Sequence, residues 1–284
     1  MNLRQYFKKA EKEGWAIGQF NISNLETLRA IVLAGLKLKS PVLIGTSEGE
    51  SKFLGLDVAV SLVSAFRKET GHPIFLNLDH GRSLDYIRKA MEAGYDAVHF
   101  DGSKLPLKKN IKIAKQIVSL AKKKGVWVEG EVGFISGSST VLKDSPELRE
   151  QDLTDPKEAN TFVKETGVDI LAVNIGTFHG IKAFGKNPRI NMQRLKEIRK
   201  FVGNIPLVMH GGSGTPEIDI KTALKFGIRK ININTELRLA FSKGLLKSLS
   251  GGEIVPYKCM PEVILGVQKV VEEKIKLFGS VNKI

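Results

Sequence analysis

One pattern recurs along this chain and limits what it can fold into: a short apolar run, a turn, an amphipathic stretch, then another apolar run. The runs fall at 16–21, 41–47, 74–79, 97–101, 126–132, 170–176, 207–210 and 230–235. A brief apolar segment closed by turn residues reads as a strand buried on both faces. The stretches between them have helical spacing and recognisable ends. Ser23 and Glu26 form a capping-box pattern ahead of Leu25, Leu28, Ile31 and Val32. Ser83 precedes Leu84, Ile87 and Met91, which share one helix face, and Ile111, Ala114, Val118 and Ala121 repeat the spacing. Asp155-Pro156 is a cap followed by proline in the first turn. Leu195, Ile198 and Val202 mark another stripe, and Pro216 opens a further helix. Gly71, Gly94, Gly125, Gly167, Gly203 and Gly227 stand where helices should stop. Strands alternating with helices predict parallel βαβ units. Eight such units predict an α/β protein of the (β/α)8 TIM-barrel class. An open doubly wound sheet is the competing arrangement, but no G-x-G-x-x-G turn follows the first strand.

The 284 residues suit one such barrel, and the whole of 1–284 is expected to be a single domain. The stretch 133–155, rich in glycine and serine, reads as a mobile loop over the site, and 261–280 as a C-terminal amphipathic helix closing the ring. Cys259 is the one cysteine, which excludes an internal disulfide and suits a reducing compartment. Residues 1–14 are charged and lack the apolar run of a secretory leader. The longest apolar stretch, 30–36, falls well short of the roughly 20 residues that cross a bilayer. A cytoplasmic protein with no membrane partner is expected. Lysine and arginine exceed aspartate and glutamate by 44 to 30, a net charge of +14. The basic residues are spread along helical stretches, as at Lys108, Lys109, Lys112 and Lys115, with no basic arm and no aromatic interleaving. That is the pattern of solvated helix faces and not of a nucleic-acid interface. It also suits an anionic small-molecule substrate.

In barrels of this class the C-terminal ends of the strands form the active face. The third run, Phe75-Leu76-Asn77-Leu78-Asp79-His80-Gly81, delivers an acid and an imidazole there. Asp79 can move a proton and His80 can bind a metal. Asp101 ends the fourth run, Glu131 lies late in the fifth, His179 follows the sixth and His210 ends the seventh. Three histidines at three strand ends define a candidate metal site, and three neutral imidazoles leave zinc an open fourth position. His72 precedes its strand and His99 lies two residues before Asp101, so neither is expected to bind the ion. Gly211-Gly212-Ser213-Gly214 is a phosphate candidate. Its glycines let backbone N–H groups approach an anion, and the helix from Pro216 adds the positive end of its dipole. Asn232, Asn234 and Thr235 follow on the eighth strand, although Thr235 has the opposite parity from the asparagines.

With these residues assembled, the chain resembles the class II, metal-dependent ketose-bisphosphate aldolases over nearly its whole length. The landmarks are Gly18-Gln19-Phe20-Asn21-Ile22, Ser47-Glu48-Gly49, Leu78-Asp79-His80-Gly81, Phe100-Asp101-Gly102-Ser103, Glu129-Gly130-Glu131-Val132-Gly133, Gly176-Thr177-Phe178-His179-Gly180, His210-Gly211-Gly212-Ser213-Gly214 and Asn232-Ile233-Asn234-Thr235. The fructose- and tagatose-bisphosphate branches share them. The resemblance implies reversible cleavage of a ketose 1,6-bisphosphate into dihydroxyacetone phosphate and glyceraldehyde 3-phosphate. Fructose 1,6-bisphosphate is the first expectation and tagatose 1,6-bisphosphate the alternative. It implies a catalytic zinc on His80, His179 and His210, a second divalent position at Asp101 and Glu131, room for a monovalent cation, and a homodimer or homotetramer. Asp79 is then the proton donor and acceptor at the C4 hydroxyl. Gly180, Gly211, Gly212, Ser213, Asn232, Ile233, Asn234 and Thr235 would bind dihydroxyacetone phosphate. Ser47 would face the aldehyde phosphate, and Asn21 would also touch substrate. The chain departs from the family after the fifth strand. Relatives usually carry two glycines and an acidic pair there, where this chain reads Phe134-Ile135-Ser136-Gly137-Ser138-Ser139-Thr140. Asp144, Glu147, Glu150 and Asp152 are the nearest substitutes for the missing loop acid, and Asn77 and Lys104 stand where relatives often have histidine. A barrel hydrolase or isomerase acting on a sugar phosphate is the alternative use of the same histidines.

Overall fold

The computed structural model describes residues 1–143, 149–184 and 187–284. The expected strands form as β1 (Ile17–Asn21), β2 (Val42–Ser47), β3 (Ile74–Gly81), β4 (Ala97–Phe100), β5 (Trp127–Val132), β7 (Ile170–Val173), β9 (Leu207–Met209) and β10 (Ile228–Ile233). Two further strands, β6 (Gly137–Leu142) and β8 (His179–Lys182), pair in parallel with each other outside the ring. The other eight close into a parallel barrel in the order β1-β10-β9-β7-β5-β4-β3-β2. The helices are α1 (Leu3–Glu13), α2 (Leu25–Leu38), α3 (Glu48–Leu54), α4 (Leu56–Thr70), α5 (Leu84–Ala93), α6 (Leu107–Lys124), α7 (Pro156–Thr166), α8 (Met192–Val202), α9 (Glu217–Leu224), α10 (Thr235–Ser250) and α11 (Pro256–Leu277). This is the (β/α)8 architecture. Among the described residues no helix is long and apolar enough to cross a membrane.

Most helix ends follow the local chemistry. The Ser83 hydroxyl accepts from the Tyr86 amide, and Asp155 accepts from the amides of Lys157 and Glu158 with Pro156 in the first turn. Gly71, Gly94, Gly125 and Gly167 end their helices in the left-handed region. α2 differs from expectation: its cap is Asn24, whose side chain accepts from the Thr27 amide at 2.9 Å, and not Ser23. Asparagine is among the strongest N-caps, so the helix begins one residue later than the capping-box pattern suggests.

Strand parity sorts the barrel interior into levels, because residues two apart share a face. At the N-terminal end, Ile17, Leu43, Phe75, Ala97, Trp127 and Ile170 pack against Leu3, Tyr6, Phe7 and Ala10 of α1. That helix plugs the barrel, with Phe7 stacked on Trp127 at 4.9 Å. Two residues further along come Gln19, Asn77, His99 and Glu129, joined by Lys230 from β10, all buried. A second step reaches Asn21, Asp79 and Glu131 at the mouth. The apolar residues on the outward faces pack under the helices in the main core. In that core Phe162 is fully buried over Gly130, where a Cβ would fall 2.5 Å from its ring. Phe162→Ala is expected to lower the unfolding free energy by about 3–5 kcal/mol, read from urea midpoints.

Candidate active site

Asp79 and His80 are adjacent, so a regular strand would turn them to opposite faces. β3 pairs with β2 in unbroken register as far as Asp79, but its pairing with β4 shifts between Leu78 and Gly81. At the shift His80 adopts a left-handed backbone with φ of 51°, and its amide donates to His99 Nδ1 at 3.1 Å. The bulge turns His80 back, so that both side chains line one cleft. Asp79 is held on two sides, by Asn21 Nδ2 and Asn232 Nδ2, each at 3.0 Å. Burial alone would raise its carboxyl. His80, a contact with His99, His210 and Lys230 instead hold it well below the usual carboxylate range. It is an ionised base.

The rings of His80, His179 and His210 converge at the same place. Their centroids lie 4.8 Å apart for His80 and His179, 4.6 Å for His80 and His210, and 5.8 Å for His179 and His210. His80 Nδ1 lies 3.0 Å from Asp101 Oδ2, and His210 Nε2 lies 2.8 Å from Glu129 Oε1. Burial opposes charge on His80, but Asp79 and Asp101 beside it raise its pKa. Asn232 Nδ2 lies 3.2 Å from His210 Nδ1, and that same atom is 3.0 Å from His80 Nε2. Zinc holds imidazole nitrogens at roughly 2.0–2.1 Å, and an ion bound here would replace that imidazole–imidazole contact. Burial, with His80 and His210 as neighbours, keeps His179 well below the usual histidine range, and burial also lowers His210. Neutral imidazoles are the ligand form. Ligand atoms of Asp79, His80, His99 and His210 lie within 4.8 Å of one another, with the His179 ring beside them, a donor set whose chemistry suits a zinc-like ion.

Below this level the carboxylates are tied down. Burial opposes the charge on Glu129, but Lys230, His99 and His210 outweigh it. Lys230 and Glu129 form an ion pair inside the barrel, both nearly inaccessible. Lys230 does not line the cleft. Asp101, Glu131 and His80 offer a second group of convergent donors. Glu131 Oε2 is buried with no hydrogen-bond partner among the described residues, 3.1 Å from His99 Nε2. His99 is fully buried, its ring 4.7 Å from that of His80. Contrary to expectation it belongs to a group of convergent donors with Asp79, His80 and His210, a group that does not include His179, although one of its nitrogens accepts from the His80 amide.

The cleft above is lined by Asn21, Ser47, Gly180, Gly211, Ser213, Asn232, Asn234 and Thr235, together with Ser139 and Arg238. Gly211 has φ of 67°, and a Cβ there would fall 2.2 Å from the Phe178 carbonyl oxygen, so only glycine fits. Thr235 Oγ1 and Asn232 Oδ1 are buried without partners among the described residues. β10 ends at Ile233, two residues earlier than expected, and Thr235 opens α10. The turn at Asn234 removes the parity conflict. It also puts the start of α10, and not of α9, at the cleft. Two expected substrate contacts are corrected. The Ile233 side chain is fully buried in the core, and Gly212 lies against Ile231 and Ile233 with its amide donating to the Asn232 carbonyl. Neither lines the cleft.

Sequence reasoning missed Glu50 and Arg238. Glu50 is buried behind the cleft. Its Oε2 accepts from Asn21 Nδ2 at 2.9 Å and from the Ser47 amide at 2.8 Å, and its Oε1 accepts from Asn234 Nδ2 at 3.1 Å and Arg238 Nη2 at 2.7 Å. The signal was the capping box that Ser47 and Glu50 form at the start of α3. Of the candidate loop acids, Asp144 and Glu147 lie outside the described residues. Glu150 pairs with Arg194 and Asp152 with Arg149, and neither lines the cleft.

The cleft is thus an acid beside convergent imidazoles at the mouth of a (β/α)8 barrel. The sequence profile described as fructose-bisphosphate aldolase class-II matches residues 1–283. The fructose-bisphosphate aldolase of Helicobacter pylori (strain ATCC 700392 / 26695) is 37% identical, over 97% of each chain. Among solved structures, the YdjI aldolase of Escherichia coli K12 superposes with a TM-score of 0.85 at 32% identity, covering 99% of this chain and 97% of its own. A putative fructose-1,6-bisphosphate aldolase from Coccidioides immitis shares the fold at a TM-score of 0.87 and 24% identity, covering 99% of this chain and 96% of its own. The chain belongs to the class-II fructose-bisphosphate aldolase family. It is a class II aldolase, an aldehyde-lyase. Because Glu129 fixes the orientation of the His210 ring, Glu129→Gln is expected to weaken zinc binding about 10- to 100-fold, measured by competition with a chromophoric chelator. Unchanged affinity would refute that role.

Proposed function

We propose that this protein reversibly cleaves a ketose 1,6-bisphosphate into dihydroxyacetone phosphate and glyceraldehyde 3-phosphate. The observation that carries the reading is the convergence of the His80, His179 and His210 rings, with centroids 4.6 to 5.8 Å apart, beside an Asp79 carboxyl held well below the usual range. His80, His179 and His210 would hold zinc, and Asp101 and Glu131 would serve a second divalent ion. Zinc, when bound, supplies a Lewis acid that favours negative charge on the ketose carbonyl oxygen. Cleavage breaks the C3–C4 bond. Asp79 takes the C4 hydroxyl proton, the C4 oxygen becomes the aldehyde carbonyl, the bonding pair passes to the carbonyl half, and that half takes a proton at C3 to leave as dihydroxyacetone phosphate. In condensation the same carboxyl returns the proton. Asn21 and Asn232 orient it, each donating to one of its oxygens at 3.0 Å.

Gly211, Ser213, Asn232 and Thr235 would bind dihydroxyacetone phosphate, with Gly180 beside them. A phosphate at the start of α10 meets the positive end of that helix, in the loops after the last two barrel strands. Ser47 and Asn234 would face the aldehyde half. The names of the relatives make fructose 1,6-bisphosphate the first substrate to assay, and tagatose 1,6-bisphosphate differs from it at one hydroxyl. We assign the whole of 1–284 to one catalytic domain. The buried, unpaired Cys259 supports a reducing compartment such as the cytoplasm.

Metal-free protein is expected to release triose phosphate only after zinc is restored. Asp79→Asn should keep its zinc and lose about 10²- to 10⁴-fold in kcat, while His210→Ala should lose zinc as well. Cleavage that survives chelation, or release of inorganic phosphate without triose phosphate, would reject the reading. The exposed Phe53, Leu246, Ile254 and Tyr257 support a homodimer or homotetramer. Light scattering after gel filtration should give two or four times the 31.3 kDa chain mass, and a monomer would exclude it.

A further inference from the structure

Three buried amides run in series beneath Asp79. Asn77 Nδ2 donates to Gln19 Oε1 at 2.8 Å, Gln19 Nε2 to Asn21 Oδ1 at 3.2 Å, and Asn21 Nδ2 to Asp79 Oδ2 at 3.0 Å. Gln19 and Asn21 stand on β1 and Asn77 on β3, and β2 runs between those strands. Neighbouring strands lie about 4.8 Å apart, so side chains of β1 and β3 meet inside the barrel only where β2 gives way. It gives way at Gly45, which pairs with Asn21 on one side and with Asn77 on the other. A Cβ at Gly45 would fall 2.5 Å from Asn21 Oδ1 and 2.7 Å from Gln19 Nε2. The amides cross through the space that this glycine leaves.

The direction of the series is set at its upper end. Asn21 Nδ2 also donates to Glu50 Oε2 at 2.9 Å. Both of its hydrogens therefore go to carboxylates, which accept and do not donate. Asn21 Oδ1 is left facing the layer below, where Gln19 Nε2 supplies its donor. That bond in turn points Gln19 Oε1 at Asn77. The torsion that rotates an asparagine amide is broad, so partners at both ends fix its plane, and its own rotamer does not. Hydrogen bonds in series also polarise and strengthen one another. Without Gln19, Asn21 keeps a buried oxygen with no donor, a penalty relieved by tilting the amide away from Asp79.

We propose that Gln19 and Asn77 are positioning residues, which through Asn21 aim the Asp79 carboxylate at the hydroxyl whose proton it takes. Neither lines the cleft, so neither touches substrate. This rests on the aldolase reading and adds to it the residues that steer its base. Because the series ends on Asp79, proton transfer should suffer while binding of substrate and of zinc is kept.

The test measures cleavage of fructose 1,6-bisphosphate by the zinc-loaded protein, with zinc affinity read alongside by chelator competition. Gln19→Met keeps the length of the side chain and removes both of its hydrogen bonds. It should lower kcat by about fivefold or more, with KM and zinc affinity held within about threefold of native. Asn77→Leu should lower kcat by about threefold or more, and adding it to Gln19→Met should cost less than a further factor of about two, because both act through one series. A smaller loss of kcat in Gln19→Met would overturn the proposal. So would single losses that multiply in the double variant, or a loss expressed in KM or zinc affinity instead of kcat. If Gln19→Met does not fold, Asn77→Leu decides by its own threefold limit. Native protein that yields no triose phosphate would reject the aldolase reading itself, a result distinct from variants that turn over like the native protein.

Discussion

The left-handed backbone at His80 is the constraint on which the cleft depends. A barrel strand can send only alternate residues inward, yet a base and a neighbouring imidazole must meet on one side. The break in register between β3 and β4 resolves this, and the His99 ring secures it by accepting the His80 amide. Non-glycine residues at positive φ are uncommon and are held only by surrounding structure. Here that structure is a buried histidine itself fixed between carboxylates. Strain in one residue and order in the layer beneath it are therefore one arrangement.

The second dependency is electrostatic. Ionised carboxylates sit inside the barrel, where desolvation opposes charge. Each is offset by a specific partner: Lys230 for Glu129, His80 for Asp101, and two amides with surrounding imidazoles for Asp79. These pairings also fix the orientation of the His80 and His210 rings, by Asp101 at 3.0 Å and Glu129 at 2.8 Å. The apolar layer under the polar one, closed by α1, keeps the floor rigid and dry.

Much of this was legible in the sequence because strand ends are punctuated. An apolar run that stops at Asp79-His80-Gly81, or at His210-Gly211-Gly212, shows both the strand and its exit. Parity could have been carried further. Counting back by twos from Asp79 and Glu131 reaches Asn77 and Glu129, the polar layer. What escaped depends on where the chain turns. The last strand ends at Ile233, and the turn at Asn234 brings Arg238 to the cleft from the start of α10, a position that strand parity does not give. α1 was read only as charged residues, although Leu3, Tyr6, Phe7 and Ala10 carry a helical stripe. Glu50 completes the capping box that Ser47 opens at the start of α3. Its second role needed three partners distant in sequence.

His179 differs from the other two converging histidines in its support. It lies on β8, whose partner is β6, outside the barrel, and its amide donates to the Ser136 carbonyl at 2.8 Å. Under the proposed assignment, one leg of the ion's tripod is anchored to the segment that overhangs the cleft. Thermodynamic reciprocity then applies. Whatever steadies that overhang tightens the grip on the ion, and filling the site stiffens the overhang by the same free energy.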